Sequence, residues 1–226
     1  MGRGNPYPHR YKGGKKEKTI TDEDFERFLR RAKEFREERR LKGKRTVLGA
    51  SRLKDVNVAA LLSILFYTGL RVSEIVGDIK HKYSLKDGAI CTSKPITGIL
   101  KKHIRVEKNY IEIRIPERRK HGISTSPVFI KRDRVGANEI VRVYLNTLEG
   151  RRLFPISKVL AWQLIKCVTD GYYPHFFRLN RATWFARHPA TSLDELKEWF
   201  GWRDPRTLQS YMAKGGRETR EMADRV

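Results

Sequence analysis

DELKEWFGWRDPRTLQSY, residues 194–211, is the stretch that decides the fold of this chain. Its first half has the pattern of a short amphipathic helix. Ser192 and Glu195 have the spacing of a capping box at the start of that helix. Gly201 is the kind of residue that ends a helix in a left-handed turn. The stretch therefore predicts two short helices joined by a tight turn.

The second of these helices carries a tyrosine with two interpretations. Asp204 followed by Pro205 is a good N-cap and first helical residue, which places Trp202 in the turn. Tyr211 then lies about two turns into the helix. Most tyrosines are packing residues with a hydrated hydroxyl. The alternative is a nucleophilic phenol, and it depends on support from the rest of the chain.

The charge balance favours a nucleic acid as the partner. The 226 residues include 49 Lys and Arg against 26 Asp and Glu, a formal net charge of +23. A chain this basic favours a polyanion, and nucleic acid is the default partner. No run of 18 apolar residues and no apolar leader is found, so we expect a cytoplasmic protein and no membrane partner. The two cysteines lack metal-ligand spacing, so we expect plain thiols and no metal.

Hydrophobic periodicity predicts a mainly helical chain. Thr21 and Asp24 have capping spacing before a predicted helix over 22–41. Residues 55–67 are apolar on nearly every side, so this helix should be central and buried. Further helices are predicted over 137–148, 157–169 and 174–187.

From residue 103 the hydrophobic period changes to two, which indicates strands. The pattern predicts strands at 103–106, 111–115 and near 124–130, with Pro127 suited to an edge strand. Together they form a small three-stranded antiparallel sheet at one edge, with a charged hairpin tip that is most simply solvated. The polar residues 77–97 are predicted to be a loop or an insertion.

Three charged or titratable residues lie either directly after the buried helix or at the start of a predicted helix. Arg71 comes directly after the buried helix, so it either pairs with an acid such as Glu74 or forms an anion site. His175 and Arg178 are three residues apart and share a helix face. A histidine at a helix start is more often a cap or a packed residue than a catalytic one.

These pieces together resemble the catalytic domain of tyrosine recombinases, the phage-integrase family. TGLRVSEI at 68–75 is similar to the segment with that family's first arginine, and HFFR at 175–178 to its His-x-x-Arg box. GWRDPRTLQSY at 201–211 is similar to its tyrosine box, and the KHG at 120–122 to its lysine hairpin. The resemblance covers about residues 20–213 and implies an α+β, mainly helical fold.

The resemblance also implies an active site. Its six residues are Arg71, Lys120, His175, Arg178, Trp202 and Tyr211. The tyrosine attacks a DNA phosphodiester to give a 3′-phosphotyrosine and a free 5′-hydroxyl, with no metal or cofactor. The arginines clamp the phosphate and the tryptophan donates to it. The lysine protonates the leaving oxygen, and the histidine assists proton transfer around the phenol.

The implied activity is metal-independent, site-specific DNA strand exchange, such as integration or excision of a mobile element or a viral genome. It implies a homotetramer on double-stranded DNA and no small-molecule substrate. One rival is relaxation of DNA by a type IB topoisomerase-like monomer. Another is an idle DNA-binding accessory protein, which the intact set of six side chains disfavours.

The domain organisation departs from that of the family. We expect a flexible basic arm over 1–20, a catalytic domain over 21–213 and a tail over 214–226 that packs on a neighbouring protomer. The family's N-terminal helical domain, which clamps DNA, is not found. If the hairpin is aligned on its proline, Arg119 replaces Lys120 as the matching residue, and an arginine is a poor general acid.

Overall fold

The structure is a computed structural model, and it describes residues 19–42, 56–78, 82–84, 90–92, 95–116, 127–188 and 191–202. Its helices within these ranges are α1 (Asp22–Lys42), α2 (Val58–Thr68), α3 (Val72–Val76), α4 (Ala137–Asn146), α5 (Lys158–Val168), α6 (Pro174–Arg187) and α7 (Leu193–Phe200). Its strands are β1 (Lys82–Ser84), β2 (Ile90–Thr92), β3 (Ile104–Val106), β4 (Tyr110–Ile113) and β5 (Val128–Lys131). The predicted fold class, mainly helical with a small antiparallel sheet, is confirmed.

Helix α2 is the centre of the core, as its apolar sequence predicts. Every residue over 58–66 is buried. The helix begins one turn later than expected, because the Asn57 side chain accepts a hydrogen bond from the Ala60 N–H (3.0 Å) and so caps it. Helices α1, α4, α5 and α6 pack around it. In the contact with α1, the rings of Phe25 and Phe66 stack 4.0 Å apart.

Two capping predictions made from residue spacing are confirmed. The Thr21 hydroxyl accepts from the Asp24 N–H (3.1 Å), and the Asp24 carboxylate accepts from the Thr21 N–H (3.4 Å). At the start of α7 the Ser192 hydroxyl accepts from the Glu195 N–H (3.1 Å), and the Glu195 carboxylate accepts from the Ser192 N–H (2.6 Å). These bonds are local, so the sequence alone specifies them.

The predicted three-stranded antiparallel sheet is present in the order β3-β4-β5. Ile111 pairs with Ile130, and Ile113 pairs with Val128, and all four side chains face the core. Pro127 immediately precedes the edge strand β5 and therefore removes no ladder hydrogen bond. The first strand begins at residue 104 because 101–103 form a 3₁₀ turn.

Residues 77–97 were predicted to be a loop or an insertion, and the first of these alternatives is wrong in part. Strands β1 and β2 lie in this segment and pair antiparallel, with Tyr83 opposite Cys91. Asp78 and Ile96 form a further bridge at its base. Three-residue strands are too short for a clear alternation of polar and apolar positions. The five-residue helix α3 was not predicted for the same reason.

Several predicted features lie outside the described residues. They are residues 1–18 of the predicted arm, the hairpin tip with Arg119 and Lys120, the second helix of the opening stretch with Tyr211, and the tail. None of the helices in the described ranges is long and apolar enough to cross a membrane.

Candidate active site

Four of the six predicted site residues lie in the described ranges, and the fold brings them to one place. Arg71 follows the C-terminal end of α2 and is the N-cap residue of α3. His175 and Arg178 lie in the first turns of α6, and Trp202 follows α7. The site is thus built where the C-terminal ends of α2 and α7 meet the N-terminal end of α6.

Arg71 is held by the acid that the sequence suggested. Its guanidinium donates to Glu74 Oε1 (3.0 Å), and its backbone N–H donates to Glu74 Oε2 (2.8 Å). The Glu74 side chain is completely buried, whereas 27% of the Arg71 side chain is exposed. The predicted ion pair is therefore confirmed. It fixes the backbone and one guanidinium nitrogen of Arg71, while part of the side chain remains accessible.

Arg178 is buried, with 1% of its surface exposed. Nη1 donates to the Gly69 carbonyl (3.0 Å) and Nη2 donates to the Phe200 carbonyl (2.7 Å). Gly69 is the C-cap of α2, and Phe200 is the last residue of α7. The negative ends of two helix dipoles thus stabilise the cation. Arg178 joins α2 to α7, a role that the sequence did not predict.

Aromatic side chains complete this junction. The Trp199 indole N–H donates to the Thr68 carbonyl (2.9 Å) at the end of α2. The rings of Phe200 and Trp202 stack 4.6 Å apart, and the Arg178 guanidinium carbon lies 4.9 Å and 5.6 Å from their centroids. A cation over aromatic faces is held in a defined orientation. Trp202 is therefore next to Arg178, as the predicted site requires.

We expect Trp199→Phe to lower the free energy of unfolding by about 1–2 kcal/mol, because the buried end of α2 loses a donor. Urea unfolding of the variant and of wild type measures the difference. Trp184→Phe is the matched control, since Trp184 is 47% exposed. Equal losses in the two variants would mean that ring volume, and not the hydrogen bond, matters at Trp199.

His175 lies close enough to Arg71 and Arg178 for their charges to act on it. Part of the residue is exposed, but burial and then the charges of Arg178 and Arg71 lower its pKa below the usual value. A neutral imidazole can accept a proton, whereas an imidazolium cannot. The site therefore favours the form of His175 that acts as a base.

This pKa has a consequence for stability. Since the folded-state pKa lies below the unfolded value of about 6.5, the unfolded chain binds more protons, and stability falls as the pH drops below about 6.5. His175→Asn should therefore lose less stability than wild type between about pH 8 and pH 5. Thermal melts of wild type and His175→Asn at pH 8 and pH 5 test this. The melting temperatures of the two proteins at pH 8 are the baseline. Parallel decreases in the two proteins would contradict it.

Sequence analysis missed two residues at this junction. The amphipathic pattern of the first half of 194–211 predicts no partner for Trp199, and no pattern in the sequence singles out Arg181, one turn after Arg178 on α6. A helix-face pattern indicates burial and carries no signal for the distant carbonyl that an indole binds. Within the described ranges, no group of three or more His, Cys, Asp or Glu residues is arranged to hold a metal ion.

Comparisons with known proteins address the fold. No family model matches the sequence, and no curated protein does. Among solved structures, the XerA recombinase is similar, with a TM-score of 0.52 and 14% identity over 95% of this chain and 65% of the XerA chain. So is the XerH site-specific recombinase bound to palindromic difH substrate in a post-cleavage complex, with a TM-score of 0.52 and 15% identity over 95% of this chain and 55% of the XerH chain.

The chain has the fold of a tyrosine recombinase catalytic domain. This agrees with the resemblance found in the motifs. The chain spans less than two thirds of the length of either recombinase. What the two share with it is the fold.

Proposed function

We propose that this chain is a site-specific DNA recombinase that cleaves and rejoins DNA through a 3′-phosphotyrosine. The observation that carries the proposal is the convergence of Arg71, His175 and Arg178 at one end of α2, on a fold similar to that of two recombinases. The formal net charge of +23 supports DNA as the substrate.

The arginines suit the binding of a phosphodiester that gains negative charge during in-line displacement. Arg71 is held in place by Glu74, and its side chain is partly exposed, so it is the arginine assigned to contact the phosphate directly. Arg178 adds a second fixed positive charge from the buried side, with Trp202 beside it. Charges that are already oriented need no reorganisation when the transition state forms.

Proton transfer is assigned to the remaining three residues. The Tyr211 oxygen forms a bond to phosphorus while the bond from phosphorus to the 5′-oxygen breaks. His175 takes the phenolic proton, and Lys120 supplies a proton to the leaving 5′-oxygen. The reverse sequence on a different 5′-hydroxyl joins the new strand. Because the phosphotyrosine conserves the bond energy, the reaction needs neither metal nor nucleotide.

The partner is double-stranded DNA, and the assembly is a homotetramer formed by two protomers on each of two sites. XerH has been crystallised on a palindromic substrate, and a palindrome suits two related protomers. The biological result is integration or excision of a mobile element.

Covalent capture tests this function. The protein is incubated with nicked duplexes of randomised sequence in EDTA and run on a denaturing gel, and the DNA in any adduct is sequenced. An adduct enriched in one sequence supports the recombinase. Relaxation of a plasmid without such a site would instead favour a topoisomerase-like activity. Salt-sensitive DNA binding with no adduct would indicate an idle DNA-binding protein.

A further inference from the structure

A second arginine on α6 occupies an unusual environment. Arg181 lies one turn after Arg178, and its guanidinium carbon is 4.3 Å and 4.5 Å from the ring centroids of Trp184 and Phe185. Its Cβ packs so closely on Gly69 that a methyl group there would stand 3.1 Å away. The side chain is therefore held in place beside the carbonyl that Arg178 binds.

Arg181 has no ion pair with any carboxylate in the part of the chain that the structure describes. Its Nε is buried and has no hydrogen-bond partner among the residues that the structure describes. Burial and then the charge of Arg134 lower its pKa to about 10, against smaller opposing effects of Tyr67 and Asp22, so it remains a cation at neutral pH. A buried hydrogen-bond donor without a partner destabilises the fold. A cation that is held in place without an ion pair is therefore suited to binding an anion.

Arg134 lies beside the same helix end. It is exposed in the turn between β5 and α4. The next residue, Val135, accepts a hydrogen bond through its carbonyl from the Tyr67 hydroxyl (2.8 Å) near the end of α2. Burial raises the pKa of Tyr67 to about 12, so this hydroxyl remains a donor. Arg134 and Arg181 thus flank the end of α2, and neither has a carboxylate partner among the described residues.

We propose that Arg134 and Arg181 bind a non-scissile phosphate of the DNA backbone, next to the phosphate held by Arg71 and Arg178. This inference rests on the proposed function, because DNA is the ligand. A planar guanidinium stacked on aromatic rings keeps its edge for a phosphate oxygen. Gly69 connects the two sites, since its carbonyl binds Arg178 and its α-carbon packs against Arg181. The second phosphate would fix the register of the duplex over the active site.

The salt dependence of DNA binding tests the site. Affinity for a short fluorescent duplex is measured over a range of salt concentrations for wild type, Arg181→Gln, Arg134→Gln and Arg142→Gln. Loss of one phosphate contact should reduce the slope of log K against log salt by about 1. We expect this for the first two variants. The control should keep the wild-type slope, because Arg142 is paired with Glu139, which also contacts Lys33 and Asn57.

A folded Arg181→Gln protein with the wild-type slope would overturn the site. If that variant does not fold, Arg134→Gln decides the question, since the Arg134 side chain is exposed. Arg181→Lys should retain the wild-type slope because it keeps the positive charge. Covalent capture separates this site from the proposed function. Reduced slopes without any adduct would support the phosphate site and contradict the recombinase function. An adduct with unchanged slopes would support the recombinase function and contradict the phosphate site.

Discussion

Tyr211→Phe is expected to abolish the covalent protein–DNA adduct completely while leaving DNA affinity within about twofold of wild type. The substitution removes only the phenolic oxygen, which is the atom assigned to attack phosphorus. The aromatic ring and the net charge stay the same, so backbone contacts that depend on charge are retained. The measurement is the adduct band on a denaturing gel, with binding of the same duplex followed by fluorescence anisotropy.

Tyr110→Phe is the matched control for this experiment. Tyr110 lies on β4 and is 41% exposed, and it also loses one phenolic oxygen on substitution. It should form the wild-type amount of adduct. An adduct that persists in Tyr211→Phe would show that another group is the nucleophile. Loss of the adduct in both variants would show that the assay does not report on the nucleophile.

Arg178→Gln is expected to lose both catalysis and stability. Its guanidinium binds the carbonyls at the ends of α2 and α7, and it is 1% exposed. Leaving buried carbonyls without their charged donor should lower the free energy of unfolding by about 3 kcal/mol. Loss of a fixed positive charge beside the phosphate should reduce the cleavage rate by about 10²–10³-fold. Urea unfolding and single-turnover cleavage measure the two effects separately.

Arg71→Gln separates the catalytic effect of losing an arginine from the effect on stability. Arg71 is more exposed, and Glu74 keeps its hydrogen bond to the backbone N–H when the guanidinium is removed. We therefore expect a cleavage defect of similar size, about 10²–10³-fold, with a smaller loss of stability than in Arg178→Gln. An Arg178→Gln protein as stable as wild type would contradict the role of Arg178 in joining the helix ends. Normal cleavage in Arg71→Gln would exclude Arg71 from the phosphate site.

Local interactions were predictable from the sequence. The capping bonds of α1 and α7 join residues three apart, and so does the pair of Arg71 with Glu74. The burial of α2 followed from its apolar composition. Short elements such as α3, β1 and β2 were missed because three to five residues carry too little periodicity. The four described site residues were identified through motifs, and their roles remain proposals.

The sequence by itself determined the main helices, the caps of α1 and α7, the three-stranded sheet and the four described residues of the candidate site. Only the tertiary structure decided what those residues bind. The carbonyl partners of Arg178 lie 109 and 22 residues away, and that of Trp199 lies 131 residues away. That Arg181 forms no ion pair with a carboxylate of the described residues depends in the same way on how α6 meets the end of α2. Residue spacing specifies neighbours within one or two helical turns, whereas partners across the core depend on how helix ends pack together.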